Sequence, residues 1–343
     1  MPYARTYASP TFAADLAGLF RLQLAACGLA PGELCVCVTD TAWSSAYGAA
    51  CHAAALAIGA DAIIATVAWD RPPSPAALSA LCDRADLIVY ATAHALHYRD
   101  ELRAALNRGA RALCAMEPPH VLDRLRADPE VRARALAGAA VLDGAREIRV
   151  TSPSGTDLVM DKTGRAGLAL YGAADAPGRL DFWGLGAVQA AQLEGSTEGR
   201  LVLDRGDCVF RLARYVETPV SIIVDAGRVV AIEGGLDADL IRAELESVGD
   251  DGAFRAGHMG WGVDPRARWT QPLVQTPDAG CGGADIESAF GTVQIELGSN
   301  DDIAFGGTNR SRAHLGLCLR GASLSLDGQT VINEGGFVPP ELR

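Results

Sequence analysis

The sequence predicts a chain of two classes: an α/β N-terminal domain with a parallel sheet, then a mostly antiparallel β (α+β) C-terminal domain. Three observations carry this. Short apolar runs alternate with helix-like segments through the first 146 residues. Near residue 147 the rhythm changes to alternating strands joined by tight turns. The length, 343 residues, is that of one large or two medium domains.

In the first half, Glu33 to Val38 reads as a buried strand, and Ser44 to Ile58 as an alanine-rich helix stopped by Gly59. Ala62 to Val67 is a second strand. A helix follows from Ser74 to Ala85, with Ser74 as N-cap ahead of Pro75. Asp86 to Tyr90 is the third strand, Tyr98 to Arg108 a helix, and Arg111 to Ala115 the fourth strand. A further helix runs from about His120 to Leu136. Apolar strands separated by helices of about ten to fifteen residues call for a parallel sheet covered on both faces. The result is a Rossmann-like α/β domain over residues 1–146.

The second half is built differently. Glu147 to Thr151 leads into the turn Ser152-Pro153-Ser154-Gly155-Thr156-Asp157. Alternating runs follow, such as Ser221 to Asp225, with a hairpin signal across Asp225 to Ile232. One helix, about Ala238 to Val248, interrupts. Asp327-Gly328 is a strong hairpin turn within Ser323 to Ile332. Residues 147–343 therefore form a β-rich domain, with no internal repeat and no low-complexity linker between the halves.

Composition narrows the function classes. Apolar residues are 49% and charged residues 21% of the chain, enough for a substantial core and against disorder. A net charge of −12 and the lack of a basic run exclude a nucleic-acid or anionic-membrane surface. Met1-Pro2-Tyr3-Ala4-Arg5-Thr6 lacks the pattern of a secretion signal, and no apolar stretch reaches the roughly 18 residues of a membrane span. The nine cysteines are scattered, without Cys-x-x-Cys, and thiols such as Cys35, Cys82 and Cys114 read as core filler. A reducing cytoplasm fits this usage better than a disulfide framework or a structural zinc cluster.

The histidines carry the chemistry. His52, His94, His97 and His120 lie in the first 120 residues, and only His258 and His314 follow. Both of the latter stand in glycine-rich settings, where a backbone can turn sharply or approach a ligand. Between them, Glu296 ends the strand-like run Gly291 to Ile295. Period-two alternation puts Val293 and Ile295 on one side and Gln294 and Glu296 on the other. Two imidazoles and a carboxylate suit iron(II) with open positions for substrate and dioxygen. The same set holds catalytic zinc equally well, and spacing does not decide between them. The bland readings are turn-capping histidines and a solvated strand-end glutamate; Asp301 and Asp302 read as loop-like and solvated. His97 follows the third strand, at the sheet end where ligands bind in open α/β folds. It reads as an acid/base or substrate-orienting residue, or as a plain helix-start histidine. His52 reads as packing or surface. Gly184-Leu185-Gly186 is half a dinucleotide fingerprint without its third glycine, and neither a Gly-x-Ser-x-Gly elbow nor a P-loop is present.

Four segments extend this reading: Met116-Glu117-Pro118-Pro119, Thr151 to Leu158, Gly257 to Trp269, and the stretch ending in His314. Together they resemble the 2,5-dihydroxypyridine 5,6-dioxygenase family, iron(II) enzymes of pyridine ring opening related to the aminopeptidase T metallopeptidases. The resemblance carries through most of the chain from about residue 60. It implies iron ligation by His258 and His314. The family's serine ligand corresponds here to Glu296, and the aspartate of its His-x-Asp pair to Gly316. A carboxylate is lost in one place and gained in another, which implies a His258, Glu296 and His314 metal set. His97 matches a histidine of the family's substrate pocket, whereas a second pocket histidine is Phe182 here.

The leading functional reading is a mononuclear non-haem Fe(II)-dependent oxygenase, a ring-cleaving, extradiol-like dioxygenase. Its substrate is a hydroxylated aromatic or N-heteroaromatic small molecule, whose hydroxyl pKa the metal lowers. His97 assists proton movement, Phe182, Trp183 and Trp261 supply an apolar wall, and Arg320 pairs with a substrate carboxylate unless it is a structural ion pair. The alternatives are an aminopeptidase T-like metallohydrolase, expected to hold two ions and more carboxylates, and a non-catalytic small-molecule binder on the same scaffold. The expected partners are the aromatic substrate and dioxygen, with no nucleic acid and no membrane, in a homo-oligomer.

Overall fold

The computed structural model describes residues 10–42, 45–270 and 283–343, with side chains from residue 15 onward. The N-terminal hexapeptide and Ser44, the first residue of an expected helix, lie outside the described residues. The chain divides into two compact units, the first comprising described residues up to Asp128 together with Tyr171–Leu185, the second taking in the rest from Pro129.

The first unit begins with α1 (Pro10–Ala26). It continues through β1 (Leu34–Asp40), α2 (Ser45–Ile58), β2 (Asp61–Val67), α3 (Pro75–Cys82), β3 (Leu87–Ala91), α4 (Asp100–Asn107), β4 (Arg111–Cys114) and α5 (Pro119–Arg124). β2, β1, β3 and β4 lie side by side and parallel. All five residues of β3 and all four of β4 are buried, as expected for central strands covered on both faces. Ser74 caps α3, its hydroxyl oxygen accepting from the Ala77 N–H at 3.3 Å.

Two expected helices are corrected. The segment from His120 to Leu136 is two helices, α5 and α6 (Pro129–Asp143). Pro129 disfavours a helical residue before it and is well suited to start a new helix. The segment from Tyr98 to Arg108 is a 3-10 turn, Leu96–Tyr98, followed by α4 after an extended Arg99.

From α6 the chain runs through β5 (Glu147–Thr151), β6 (Asp157–Asp161) and β7 (Leu168–Leu170). β8 (Leu180–Phe182) then returns to the first sheet and pairs in parallel with β4, giving the order β2-β1-β3-β4-β8. The expected boundary at 146/147 coincides with the start of β5. Compactness groups α6 with the second unit and Tyr171–Leu185 with the first, whose sheet β8 extends by pairing with β4.

The second unit continues with β9 (Ala187–Ala191), β10 (Glu198–Leu203), β11 (Cys208–Val209), β12 (Arg214–Tyr215), β13 (Val220–Asp225) and β14 (Arg228–Gly234). After α7 (Leu236–Val248) come β15 (Ala256–Gly262), α8 (Ala284–Glu287), β16 (Val293–Gly298), β17 (His314–Leu319), β18 (Ser323–Leu326), β19 (Gln329–Asn333) and β20 (Gly336–Phe337). Among the described residues these make two antiparallel sheets, ordered β14-β13-β10-β6-β5-β18-β19-β20 and β12-β11-β17-β16-β15-β9-β7. Both expected hairpin turns form. Ala226-Gly227 has φ of 47° and 71°, and Asp327-Gly328 has φ of 47° and 80°, the positive values that two-residue hairpin loops require.

The seven-stranded sheet has two chemically distinct faces. Cross-strand pairing puts Val188, Met259, Trp261, Val293, Ile295, Leu317 and Leu319 on one face. α6 packs on that side so closely that a Cβ on Gly138 would lie 2.7 Å from Val188 Cγ2. The opposite face carries Gln189, His258, Gly260, Gln294, Glu296 and Gly316. Among the described residues, no helix is long and apolar enough to cross a membrane.

Candidate metal centre

Three neighbouring strands bring His258, Glu296 and His314 together. β15 and β16 pair with a register shift between Ala256 and Met259, so Gly257 and His258 stand opposite the single residue Glu296. Such a bulge re-aims a side chain that regular pairing would leave one step away. Gly257 makes it possible, because a Cβ there would lie 3.0 Å from the carbonyl oxygens of Gly298 and Ser299. His314 begins β17 and pairs with Gly298, two residues beyond Glu296. One ligand atom from each of the three residues lies within 4.8 Å of the others. His314 Nε2 is 3.8 Å from Glu296 Oε2.

The residue facing Glu296 on β17 is Gly316. A Cβ at that position would lie 2.6 Å from Glu296 Oε1 and 3.0 Å from Oε2. The glutamate carboxylate therefore occupies the space that a side chain at 316 would fill.

Burial sets the electrostatics. His258 is 2% exposed and Glu296 fully buried. Desolvation, with the His314 ring adding, pushes His258 far below the usual histidine pKa. Desolvation lowers His314 to about 4, with Arg211 adding; the smaller shift fits a side chain that keeps 29% of its surface exposed. The Glu296 carboxyl is pushed far up by burial and by the neighbouring Glu287. Burial thus favours the uncharged form of both imidazoles and of the carboxyl, whose proton a cation would displace.

The residues fit a metal ion. His258 Nδ1 and Nε2 and both Glu296 carboxyl oxygens are buried without a hydrogen-bond partner. An unsatisfied buried polar atom costs about 1–3 kcal/mol, and these two side chains carry four of them. A bound divalent cation would satisfy one His258 nitrogen and the Glu296 carboxylate, and a two-nitrogen, one-oxygen set suits iron(II) or zinc.

Sequence reasoning missed Phe305. Its ring lies on the His258 imidazole with centroids 4.2 Å apart and planes 25° from parallel. The loop that carries it, residues 299–313, joins β16 to β17 and is pinned by polar contacts. Glu194 accepts from the Asn300 side-chain amide at 3.0 Å, the Thr308 N–H at 2.7 Å and Arg165 at 2.7 Å. Asn309 donates its side-chain amide to the carbonyls of Gly298 and Gly252 at 2.7 and 3.0 Å. Asp301 and Asp302 do not match the solvated reading. Asp301 accepts from Ser299 at 2.6 Å and pairs with Arg310 at 2.9 Å. Asp302 is buried and accepts from the Ala304 N–H at 2.9 Å. A usable signal was present: a fifteen-residue connection is far longer than a hairpin needs, and such loops carry function.

The remaining candidates have their own surroundings. His97 and Phe182 meet in the first unit, ring centroids 5.2 Å apart and edge to face. The Tyr90 hydroxyl lies 3.1 Å from His97 Nδ1 and orients the ring. Trp183 is core: its Nε1 donates to Leu122 O at 3.0 Å and its ring meets Phe20 edge-on at 4.9 Å. Trp261 packs beside Gly138 on the apolar face of the sheet, away from His258. Arg320 lies beyond the far end of β17, about 20 Å along the strand from His314 at roughly 3.3 Å per residue. Its guanidinium sits 5.8 Å from the Trp269 ring centre. Trp261 does not line the triad, and Arg320 does not reach it.

A family model for 2,5-dihydroxypyridine 5,6-dioxygenase matches residues 15–339. A relative named 2,5-dihydroxypyridine 5,6-dioxygenase, from Pseudomonas putida, is 34% identical over 260 residues, covering 76% of this chain and 73% of its own. The solved structure of 2,5-dihydroxypyridine dioxygenase from Pseudomonas putida KT2440 superposes with a TM-score of 0.89 at 28% identity, covering 96% of this chain and 99% of that one. AmpT from Thermus thermophilus superposes with a TM-score of 0.63 at 14% identity, covering 96% and 100%, a likeness of fold alone.

Proposed function

Because the chain belongs to the 2,5-dihydroxypyridine 5,6-dioxygenase family, we propose that it opens a hydroxylated N-heteroaromatic ring with dioxygen through one iron(II) ion on His258, Glu296 and His314. The enzyme is a ring-cleaving dioxygenase. The observation that carries the metal assignment is that His258, Glu296 and His314 each bring a ligand atom within 4.8 Å of the others, with the polar side-chain atoms of His258 and Glu296 buried and unpartnered. Iron(II), when bound, supplies a Lewis acid that lowers the pKa of a ring hydroxyl and a redox centre for dioxygen.

The protein's own residues then have distinct tasks. His258 and His314 arrive uncharged, with lone pairs ready for a cation. Glu296 brings the one carboxylate and gives up its proton on loading. Phe305 covers one face of His258 and keeps water from it. His97, oriented by Tyr90, is assigned the proton movement that ring opening needs, and Phe182 beside it an apolar contact with the ring. Metal identity separates this reading from a hydrolase, whose two-ion sites need more ligands than the one triad found among the described residues.

Two further assignments complete the proposal. The described cysteines are all buried and free, which supports a cytoplasmic setting. Ile63 and Ile64, 47% and 43% exposed on the edge strand β2, support association with a second copy.

The test is anaerobic reconstitution with iron(II), then oxygen uptake against a panel of hydroxylated pyridines and aromatic acids. One iron per chain and uptake matched to dihydroxypyridine consumed are expected. Two zinc ions per chain, or no retained metal, would overturn the iron assignment.

A further inference from the structure

Histidine ligands usually have the ring plane fixed by a hydrogen bond from the nitrogen facing away from the metal. His258 has no such bond. Both ring nitrogens are buried and lack a hydrogen-bond partner, although only one can face a metal. Something other than a hydrogen bond must therefore hold the ring. The rings recorded against it are Phe305, stacked at 4.2 Å and 25°, and His314, tilted by 38° with its centroid 5.4 Å away. His314 is itself a ligand, which leaves Phe305 as the fixed surface.

The phenyl ring is placed firmly enough for this. Phe305 is 7% exposed, and its N–H donates to Asp302 O at 3.2 Å. The flanking residues of its loop are tied in turn. The Gly307 N–H donates to Asn300 O at 3.1 Å, and the Asn309 N–H to the Asn300 side-chain oxygen at 2.8 Å. A Cβ on Gly307 would lie 2.2 Å from the Asn300 side chain, so the two segments are in contact with no room to spread. Asn300 and Thr308 both end on the Glu194 carboxylate.

We propose that Phe305 is the positioning residue for His258, its ring face fixing the plane in which that imidazole meets the metal. The inference rests on the triad being the metal site. It predicts that affinity depends on a flat aromatic surface at 305 and not merely on apolar bulk. Removing an outer partner of a metal-bound histidine costs about 10–100-fold in metal affinity, and a comparable loss is expected here.

The experiment is cobalt(II) titration of metal-free wild type, Phe305→Leu, Phe305→Met and Phe305→Tyr, read by the visible ligand-field spectrum, with unfolding of each metal-free protein followed alongside. Leu and Met should raise the cobalt Kd by about 10–100-fold and alter the band positions. Tyr, which keeps the ring, should stay within about threefold of wild type, an effect of under 1 kcal/mol. Two chemically different aliphatic variants keep the test open if one of them folds poorly. Wild-type Kd and spectrum in a folded Leu or Met variant overturn the inference while leaving the metal site standing. Failure of wild type itself to take up cobalt overturns the metal reading and the inference with it.

Discussion

At the scale of single residues, the site is a problem of space and charge in a dry environment. Glu296→Ala and His314→Ala should each abolish metal retention, as read by metal content after gel filtration; undiminished iron in either variant refutes that ligand. Gly316→Ala tests the shared space. Its Cβ would meet Glu296 Oε1 at 2.6 Å, so a loss of about 1–3 kcal/mol in unfolding free energy and weakened metal binding are expected. A neutral outcome in both measurements would show that Glu296 has room to move. The raised pKa of Glu296 also has a sign. Metal-free protein holds a Glu296 proton that metal-bound protein does not, so loading should release protons. Calorimetry in buffers of different ionisation enthalpy measures this, and uptake of protons would contradict it. Of these residues the triad was legible in the sequence, because the two histidines were the only ones in their half and Glu296 shared a strand face with Gln294. Phe305 was not, since a stacking partner is defined by a fold-dependent distance and phenylalanine in a loop carries no periodic signal.

At the scale of elements, the loop of residues 299–313 has one of its anchors in the Glu194 carboxylate. Burial opposes ionisation of Glu194, but the Thr308 N–H, the Asn300 amide and Arg165 outweigh it and keep its pKa below 4.5. A depressed carboxyl contributes stability that is fully present above the unfolded-state pKa and is lost as pH falls through the folded value. Glu194→Gln should therefore cost about 1.5–3 kcal/mol at pH 7, with the gap to wild type closing as pH drops below about 4. Denaturant unfolding at both pH values measures it; a gap independent of pH would remove the charge from the explanation. The parallel strands were readable because β1, β3 and β4 are buried almost throughout and so carry apolar runs. The break between α5 and α6 was missed because the helical pattern was followed across Pro129, where backbone sterics decide. β8 was missed for a different reason. Three residues, Leu180–Phe182, are too few to show a period, and their partner β4 lies far back in the chain.

At the scale of the whole molecule, metal binding should appear as stability. A ligand that binds only the folded state at one hundred times its Kd adds about 2.7 kcal/mol. Cobalt at that excess should raise the melting temperature of wild type and leave Glu296→Ala unmoved; equal shifts in both would place the ion elsewhere. Residues 1–146 expressed alone should be poorly soluble, since β4 then presents an open edge where β8 belongs. A soluble, cooperatively unfolding fragment would show that the four-stranded sheet suffices. The two-class plan was legible from the change of rhythm at residue 147, whereas the interleaving of the units was not, because nothing local marks a strand that closes an earlier sheet.

That interleaving bears on how the protein is made. A ribosome delivers β1 to β4 first, then Pro129–Leu170, and only afterwards the strand that completes the opening sheet. At roughly 5–20 residues per second, several seconds separate the emergence of β4 from that of β8. The early intermediate therefore waits with an unpaired apolar edge, a stage at which chaperone capture and translation speed would govern yield more than the final stability does.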